Sequence, residues 1–150
     1  MSNTIAAAEL QGELAALLDS ARDARKHAYA KYSQFYVGSA LLTHDGRVVI
    51  GANIENISYG LTICAERNAV TRAIIDNYST IKAIAVAANS LVFPCGACRQ
   101  VIREFCDDDC AVILGSADPA ERAIITTMGE LLPMAFDVVL PGQEGKQKNK

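Results

Sequence analysis

Two short stretches, Cys64-Ala65-Glu66 and Pro94-Cys95-Gly96-Ala97-Cys98, contain the residues of this sequence with the most distinctive chemistry. Three cysteine thiolates can bind a zinc ion and leave its fourth coordination position free for water, which is how catalytic zinc is held. Glu66 follows Cys64 by two residues, so its carboxylate is a natural general acid and base for that water. Together the stretches predict a zinc centre formed by Cys64, Cys95 and Cys98, with Glu66 as its catalytic residue.

Both stretches are predicted to open helices. The pattern favours one helix from Ile63 to about Asn77, with Cys64 in its first turn, and another over Cys98–Phe105. Pro94 lies just before this second helix, where proline is favoured. The positive end of a helix dipole lowers the pKa of a thiol, so two helices that point to one place would keep the three cysteines as thiolate ligands.

Two alternative uses of the cysteines remain open at this point. The Cys95–Cys98 pair could be a thioredoxin-like redox motif, but that function would leave Cys64-Ala65-Glu66 without a role. A structural zinc site with four cysteines needs a further thiol. Cys106 lies eight residues beyond Cys98, roughly 12 Å along a helix, and Cys110 lies farther still, beyond an acidic run. We expect these two cysteines to be small buried hydrophobic residues.

The remaining sequence predicts a three-layer α/β/α fold around a five-stranded mixed sheet. Apolar residues at three- and four-residue spacing predict a helix from about Thr4 to Lys31. Only Ala117–Glu121 separates the last two strands, and five residues are too few for a parallel crossover, so these strands should be antiparallel. The strands are expected at Tyr36–Thr43, Arg47–Asn53, Ile81–Ala88, Ala111–Ser116 and Arg122–Thr127, and a short helical turn at Met128–Leu132.

Length and composition exclude several classes of protein. The 150 residues predict one domain over residues 1–142, followed by a charged, disordered tail over residues 143–150. A net charge of -3 argues against a nucleic-acid binder, and no apolar stretch is long enough to cross a membrane. The lack of a signal-peptide pattern and the odd number of cysteines, 5, favour a reducing cytoplasm. The hydrophobic fraction of 51% suggests burial between subunits.

Several linked stretches resemble the small, homotetrameric, zinc-dependent cytidine deaminases, and the similarity extends through nearly the whole chain. The metal stretches fit the zinc-deaminase signature H-x-E…P-C-x-x-C, with cysteine in place of histidine. The stretches that support the resemblance are Tyr32–Gly38, Gly51–Asn56, Cys64–Arg67, Pro94–Gln100 and Glu130–Pro133. The sequence departs from the family pattern at Lys31, Ser39 and Phe93, of which Phe93 bears on the pocket wall and on substrate selectivity.

The resemblance implies a hydrolase of pyrimidine salvage that converts cytidine and 2′-deoxycytidine to uridine and 2′-deoxyuridine with release of ammonia. It implies one Zn²⁺ per subunit, a zinc-bound hydroxide as nucleophile, and Glu66 as the proton shuttle to N3 of the base. A related deaminase of another cytosine-bearing compound, such as an aminoacylnucleoside antibiotic, is the alternative enzyme. A non-enzymatic binding module stabilised by zinc is the other alternative, and it would have no use for Glu66.

The resemblance also implies roles for residues outside the metal stretches. Asn53 and Glu55 would hydrogen-bond the ribose hydroxyls, and Phe35 would flank the nucleoside. Phe136 would stack on the base from a neighbouring subunit, and Tyr59 would also reach across a subunit boundary. Alternatively, Asn53 and Glu55 are only turn formers, and Phe35 and Phe136 are ordinary core residues.

Arg67 follows Glu66 directly in the sequence. Zinc with three thiolates has a net charge of -1, which makes the metal a weaker Lewis acid. An arginine that donates hydrogen bonds to the sulfurs would offset this charge at any working pH. The resemblance implies the same role for Arg67, and a surface arginine is the alternative.

Overall fold

The computed structural model describes residues 3–6, 9–78 and 80–136. The predicted tail over residues 143–150, and the last residues of the predicted domain, lie outside these ranges. Short 3-10 turns occur at Arg25–His27 and Tyr59–Leu61. The regular elements are β1 (Asn3–Ala6), α1 (Gly12–Ala24), β2 (Gly38–Thr43), β3 (Val48–Ala52), α2 (Ala65–Ile75), β4 (Ile81–Ala88), α3 (Gly96–Glu104), β5 (Ala111–Ser116), β6 (Arg122–Thr127) and α4 (Met128–Leu131).

The five predicted strands form a mixed sheet, in the order β6-β5-β4-β2-β3, and β1 adds a sixth strand beside β6. Strands β4 and β5 are parallel, whereas the other neighbours are antiparallel. The predicted antiparallel arrangement of the last two strands is confirmed by the register that pairs Ala111 with Thr127. Strands β4, β5 and β6 have the predicted boundaries.

The predicted helix from Thr4 to Lys31 is wrong at both ends. Thr4 pairs with Ile124 in the edge strand β1, and the helix begins only at Gly12, whose φ of 64° interrupts a continuous helix. After Ala24 the chain forms the 3-10 turn and then becomes extended, so that Tyr29 pairs with Ile54. Periodicity in the sequence could not reveal either end, because both depend on pairing with distant strands.

The helices lie on the two faces of the sheet, as the predicted three-layer fold requires. On one face, Leu17, Leu18 and Ala21 of α1 pack against small buried residues of the sheet. On the other face, α2 and α3 pack against each other and against the sheet, and the buried Cys106 and Cys110 join this core as predicted.

Helix α2 lies unusually close to strand β3. A Cβ atom at Gly51 would lie 2.4 Å from both the carbonyl oxygen of Ala65 and the amide nitrogen of Ala69. Only glycine allows this approach, since both neighbours are backbone atoms that no side-chain rotation can move. The contact fixes the first turn of α2, which contains Glu66 and follows Cys64.

Candidate active site and metal centre

The N-terminal ends of α2 and α3 bring the three predicted metal ligands together. Cys64 and Cys95 are the N-cap residues of the two helices, and Cys98 lies in the first turn of α3. Their sulfur atoms all lie within 4.8 Å of one another. A tetrahedral zinc ion with Zn–S bonds of about 2.3 Å would need sulfurs about 3.8 Å apart, so a small adjustment suffices.

The electrostatics of the three clustered cysteines favour a bound cation. A hydrogen bond from Cys98, followed by the Arg67 guanidinium, lowers the pKa of Cys64 to about 5 although burial opposes the shift. The same hydrogen bond and burial raise the pKa of Cys98. Arg67 donates from Nη2 to Cys64 Sγ at 3.7 Å and to the Thr62 carbonyl at 3.2 Å. Arg67 thus lies in contact with one of the three sulfurs, and its effect on the charge of the zinc site stays a prediction.

The donor set fits a catalytic zinc ion better than a structural one. Across the described ranges, Cys64, Cys95 and Cys98 form the single group of three or more potential metal ligands. Cys106 and Cys110 are 5% and 3% exposed within the core, outside this group. Three soft thiolates with no fourth protein ligand leave one position open, as in catalytic zinc sites.

Glu66 is a buried carboxylate beside this group. Its residue is only 4% exposed, and burial raises its pKa. It lines a cavity of about 280 Å³ together with Cys64 and Cys95. A carboxyl group held out of water with a raised pKa binds a proton more readily than an exposed one, which suits it to accept and return a proton.

Three of the predicted substrate contacts, Phe35, Asn53 and Glu55, also line this cavity. Asn53 already bonds to the backbone, because its Nδ2 donates to the Phe35 carbonyl at 2.9 Å and its Oδ1 accepts from the Val37 amide at 2.8 Å. Asn53 therefore orders the cavity wall, and it keeps one donor and one acceptor position for a ligand.

Like Asn53, Glu55 binds the neighbouring chain and can still form a hydrogen bond with a ligand. Its carboxylate accepts hydrogen bonds from the Tyr32 amide at 2.8 Å and from the amide and hydroxyl of Ser33. The Ser33 hydroxyl is the main cause of the lowered pKa of Glu55, which stays ionised. A carboxylate offers about four acceptor positions, so Glu55 can bind a ligand hydroxyl while it holds this turn.

The other two predicted substrate contacts are not brought to the cavity within one chain. Tyr59 is 74% exposed, with its ring 6.0 Å from the Tyr32 ring. Phe136 is 78% exposed, and its carbonyl accepts from Gln100 Nε2 at 3.2 Å. Neither residue is part of the cavity lining, so the roles of these two rings at the site stay predictions.

Several lining residues had no predicted role. Ser33 and Val37 lie two residues before and after Phe35, and all three line the cavity. No sequence signal indicated this, because the segment is neither helix nor strand and Gln34 has a left-handed φ of 58°. The further lining residues are Thr62, Ala65, Val86, Val92 and Phe93. Phe93 is the residue whose departure from the family pattern was expected to bear on the pocket wall.

The comparison with known protein families agrees with this geometry. Residues 12–114 match the family described as "Cytidine and deoxycytidylate deaminase zinc-binding region". The chain belongs to this deaminase family. The matched region includes all three clustered cysteines and Glu66, which confirms the resemblance drawn from the sequence motifs.

Individual deaminases of this family are similar over most of their length. Cytidine deaminase of Halalkalibacterium halodurans is 51% identical over 122 residues, which cover 80% of this chain and 91% of the relative. Cytidine deaminase of Sporosarcina psychrophila is 47% identical over 124 residues, covering 80% and 88%. The crystal structure of cytidine deaminase from Burkholderia pseudomallei, 43% identical, gives a TM-score of 0.77 over 84% of this chain and 100% of that one.

The structural similarity confirms the predicted deaminase-like α/β fold. None of the helices in the described ranges is both long and apolar enough to cross a membrane.

Proposed function

We propose that this member of the deaminase family hydrolyses cytidine and 2′-deoxycytidine to uridine and 2′-deoxyuridine with release of ammonia. The observation that carries the proposal is the buried Glu66 carboxylate on the wall of a cavity that also contains two of the three clustered thiols. The similar proteins from Halalkalibacterium halodurans and Sporosarcina psychrophila are cytidine deaminases. A volume of about 280 Å³ is at the small end for ligand pockets and suits one nucleoside.

In the proposed reaction Cys64, Cys95 and Cys98 hold the zinc ion, which supplies the Lewis acid that activates water. Glu66 accepts a proton from the attacking water and delivers it to N3 of the pyrimidine, so that C4 becomes electrophilic. The hydroxyl oxygen adds at C4. Glu66 then takes the second proton, from this hydroxyl, and gives it to the amine, so that the C4=O double bond forms as the C4–N bond breaks and ammonia leaves. One water molecule is consumed and one ammonia is released, with no change in oxidation state.

The substrate contacts follow from the cavity wall. Asn53 and Glu55 have free hydrogen-bonding positions for the ribose hydroxyls, and the Phe35 ring forms an apolar wall for the nucleoside. These contacts select a nucleoside rather than the free base. A polynucleotide would need a basic groove, whereas this chain has a net charge of -3.

We propose further that the protein is a cytoplasmic homotetramer with active sites shared between subunits. Large apolar side chains are exposed around the segment that links β3 to α2, a pattern typical of a surface covered by another subunit. These side chains are Tyr29, Ile54, Ile57, Tyr59, Leu61 and Ile63. Phe136 and Met134 are also exposed, so Phe136 is available to a neighbouring cavity.

Ammonia release from cytidine, deoxycytidine, cytosine and CMP tests the proposed reaction. We expect the two nucleosides to be substrates and cytosine to be poor, because it lacks the ribose that Asn53 and Glu55 bind. Glu66→Gln should retain zinc and the fold but lose several orders of magnitude in kcat, since an amide cannot accept and return a proton as the carboxylate does.

The exposed Glu121 provides a matched control. Glu121→Gln makes the same chemical change on the surface and should leave kcat unchanged. A Glu66→Gln variant that keeps a tenth of the wild-type kcat would contradict the role assigned to Glu66. If the protein released ammonia from an aminoacylnucleoside and from none of the other compounds, the result would favour the alternative deaminase.

A further inference from the structure

One wall of the cavity is an irregular segment, residues 33–37, which we call the Phe35 segment. Ser33, Phe35 and Val37 line the cavity, whereas Gln34 and Tyr36 are not part of its lining. Gln34 has a φ of 58°, in the left-handed region that residues with a Cβ atom disfavour. The segment belongs to no helix or strand, so its shape depends on the groups that bind its backbone.

Three consecutive carbonyl groups of the Phe35 segment are bound by three different side chains. Asn89 Nδ2 donates to the Gln34 carbonyl at 3.2 Å, and Arg25 Nε donates to the Tyr36 carbonyl at 3.0 Å. Between them, Asn53 Nδ2 donates to the Phe35 carbonyl at 2.9 Å. Asn53 lines the cavity and has a proposed role with substrate, but Arg25 and Asn89 are outside the cavity lining.

Arg25 and Asn89 also bind each other. Arg25 Nη2 donates to Asn89 Oδ1 at 2.6 Å, so the two side chains form one connected support behind the segment. Asn89 binds the carbonyl of Gln34, and Arg25 binds the carbonyl of Tyr36, so the support holds the chain on either side of Phe35. The donor from Arg25 is a charged guanidinium, which forms stronger hydrogen bonds than neutral groups do.

The backbone of Arg25 is itself held in place by close packing. A Cβ atom at Gly38, the first residue of β2, would lie 2.1 Å from the Ala21 carbonyl oxygen and 2.6 Å from the Arg25 amide nitrogen. The C-terminal end of α1 therefore lies directly against the strand that follows the Phe35 segment. Asn89 directly follows β4, which pairs with β2. The support thus connects the segment to two rigid elements.

We infer that Arg25 and Asn89 are positioning residues that hold the Phe35 segment in the shape that binds nucleoside. This inference rests on the proposed function for its substrate, but its structural basis is independent of the metal centre. The thiols and Glu66 lie at the ends of α2 and α3. Loss of the support should therefore weaken substrate binding more than the chemical step.

Arg22 offers a matched control for Arg25. It lies one turn earlier on α1, and its Nε donates to the Ser116 carbonyl at 3.0 Å, the same kind of bond at the same length. Neither Arg22 nor Ser116 lines the cavity. Arg22→Gln and Arg25→Gln should therefore lower the melting temperature by similar amounts, whereas only Arg25→Gln should change KM.

The experiment measures KM and kcat for cytidine with the zinc-loaded protein. We expect Arg25→Gln to raise KM about tenfold, the effect of one lost charge-assisted hydrogen bond, with kcat within about twofold. Asn89→Ala should raise KM about threefold, and the double variant no more than Arg25→Gln alone, because the side chains act as one unit. Asn89→Asp retains the acceptor for Arg25, so its KM should lie below that of Asn89→Ala.

Hydrogen exchange of the backbone amides in residues 33–37 tests the same inference without substrate. Exchange should be faster in Arg25→Gln and unchanged in Arg22→Gln. An Arg25→Gln variant with wild-type KM and exchange, or equal KM changes in the two arginine variants, would overturn the inference. If the wild-type protein released no ammonia from cytidine, the proposed function would fail, and the exchange comparison alone would decide the positioning role.

Discussion

Gly51 allows a direct test of how packing places the active site. In a Gly51→Ala variant the new Cβ would lie 2.4 Å from backbone atoms of Ala65 and Ala69, whereas ordinary contacts begin at 3.4 Å. The first turn of α2 must therefore move away from β3 by about 1 Å, the difference between the two distances. Cys64 and Glu66 are in or next to this turn, so both would move with it.

This displacement should have two measurable consequences. Overpacking a core costs about 1–3 kcal/mol, which for a chain of this size lowers the melting temperature by about 2–12 °C. A misplacement of about 1 Å in a reacting group can cost on the order of 100-fold in rate. We therefore expect Gly51→Ala to fold with a lower melting temperature and to lose about 100-fold in kcat/KM for cytidine.

Gly115→Ala is the control on the opposite face of the sheet. Its Cβ would meet the ends of the Leu18 side chain at 2.9 Å, and these flexible atoms can move aside. We expect a smaller loss of melting temperature and kcat/KM within about twofold of wild type. Calorimetry, zinc content and initial rates measure the difference. A Gly51→Ala variant with wild-type kcat/KM, or equal losses in both variants, would refute the role of this contact.

Two further predictions concern the charge and the assembly of the site. Arg67→Gln should lower kcat and move the acidic limb of the pH profile upward while zinc remains bound. Arg67 donates a hydrogen bond to Cys64 Sγ at 3.7 Å, so its loss would leave more negative charge on the thiolates and make the bound zinc a weaker Lewis acid. Cys64→His, which removes one negative charge, should partly restore the activity of Arg67→Gln. If the pH profile and kcat of Arg67→Gln alone were unchanged, other groups would have to balance the charge of the thiolates. Sedimentation of the wild-type protein should show a tetramer, and Phe136→Ala should raise KM without loss of zinc. An active monomer would contradict the shared site.

The sequence alone determined most of the secondary structure and the metal centre. Strands β4, β5 and β6 have strong local signals, namely apolar runs bounded by turn residues, and the short Ala117–Glu121 connection forced the antiparallel pairing of the last two. The spacing of the cysteines indicated one site because two helix starts can meet at one point. Such features depend on short stretches of chain, so they can be read from the sequence.

Only the tertiary structure decided the limits of the first helix and the shape of the substrate cavity. Thr4 belongs to a strand because it pairs with strand β6, more than a hundred residues away. The Phe35 segment is held by Arg25, Asn53 and Asn89, which come from three different parts of the chain. No local pattern specifies these contacts, because each depends on hydrogen-bonding groups that become neighbours only when the sheet and its helices have packed together.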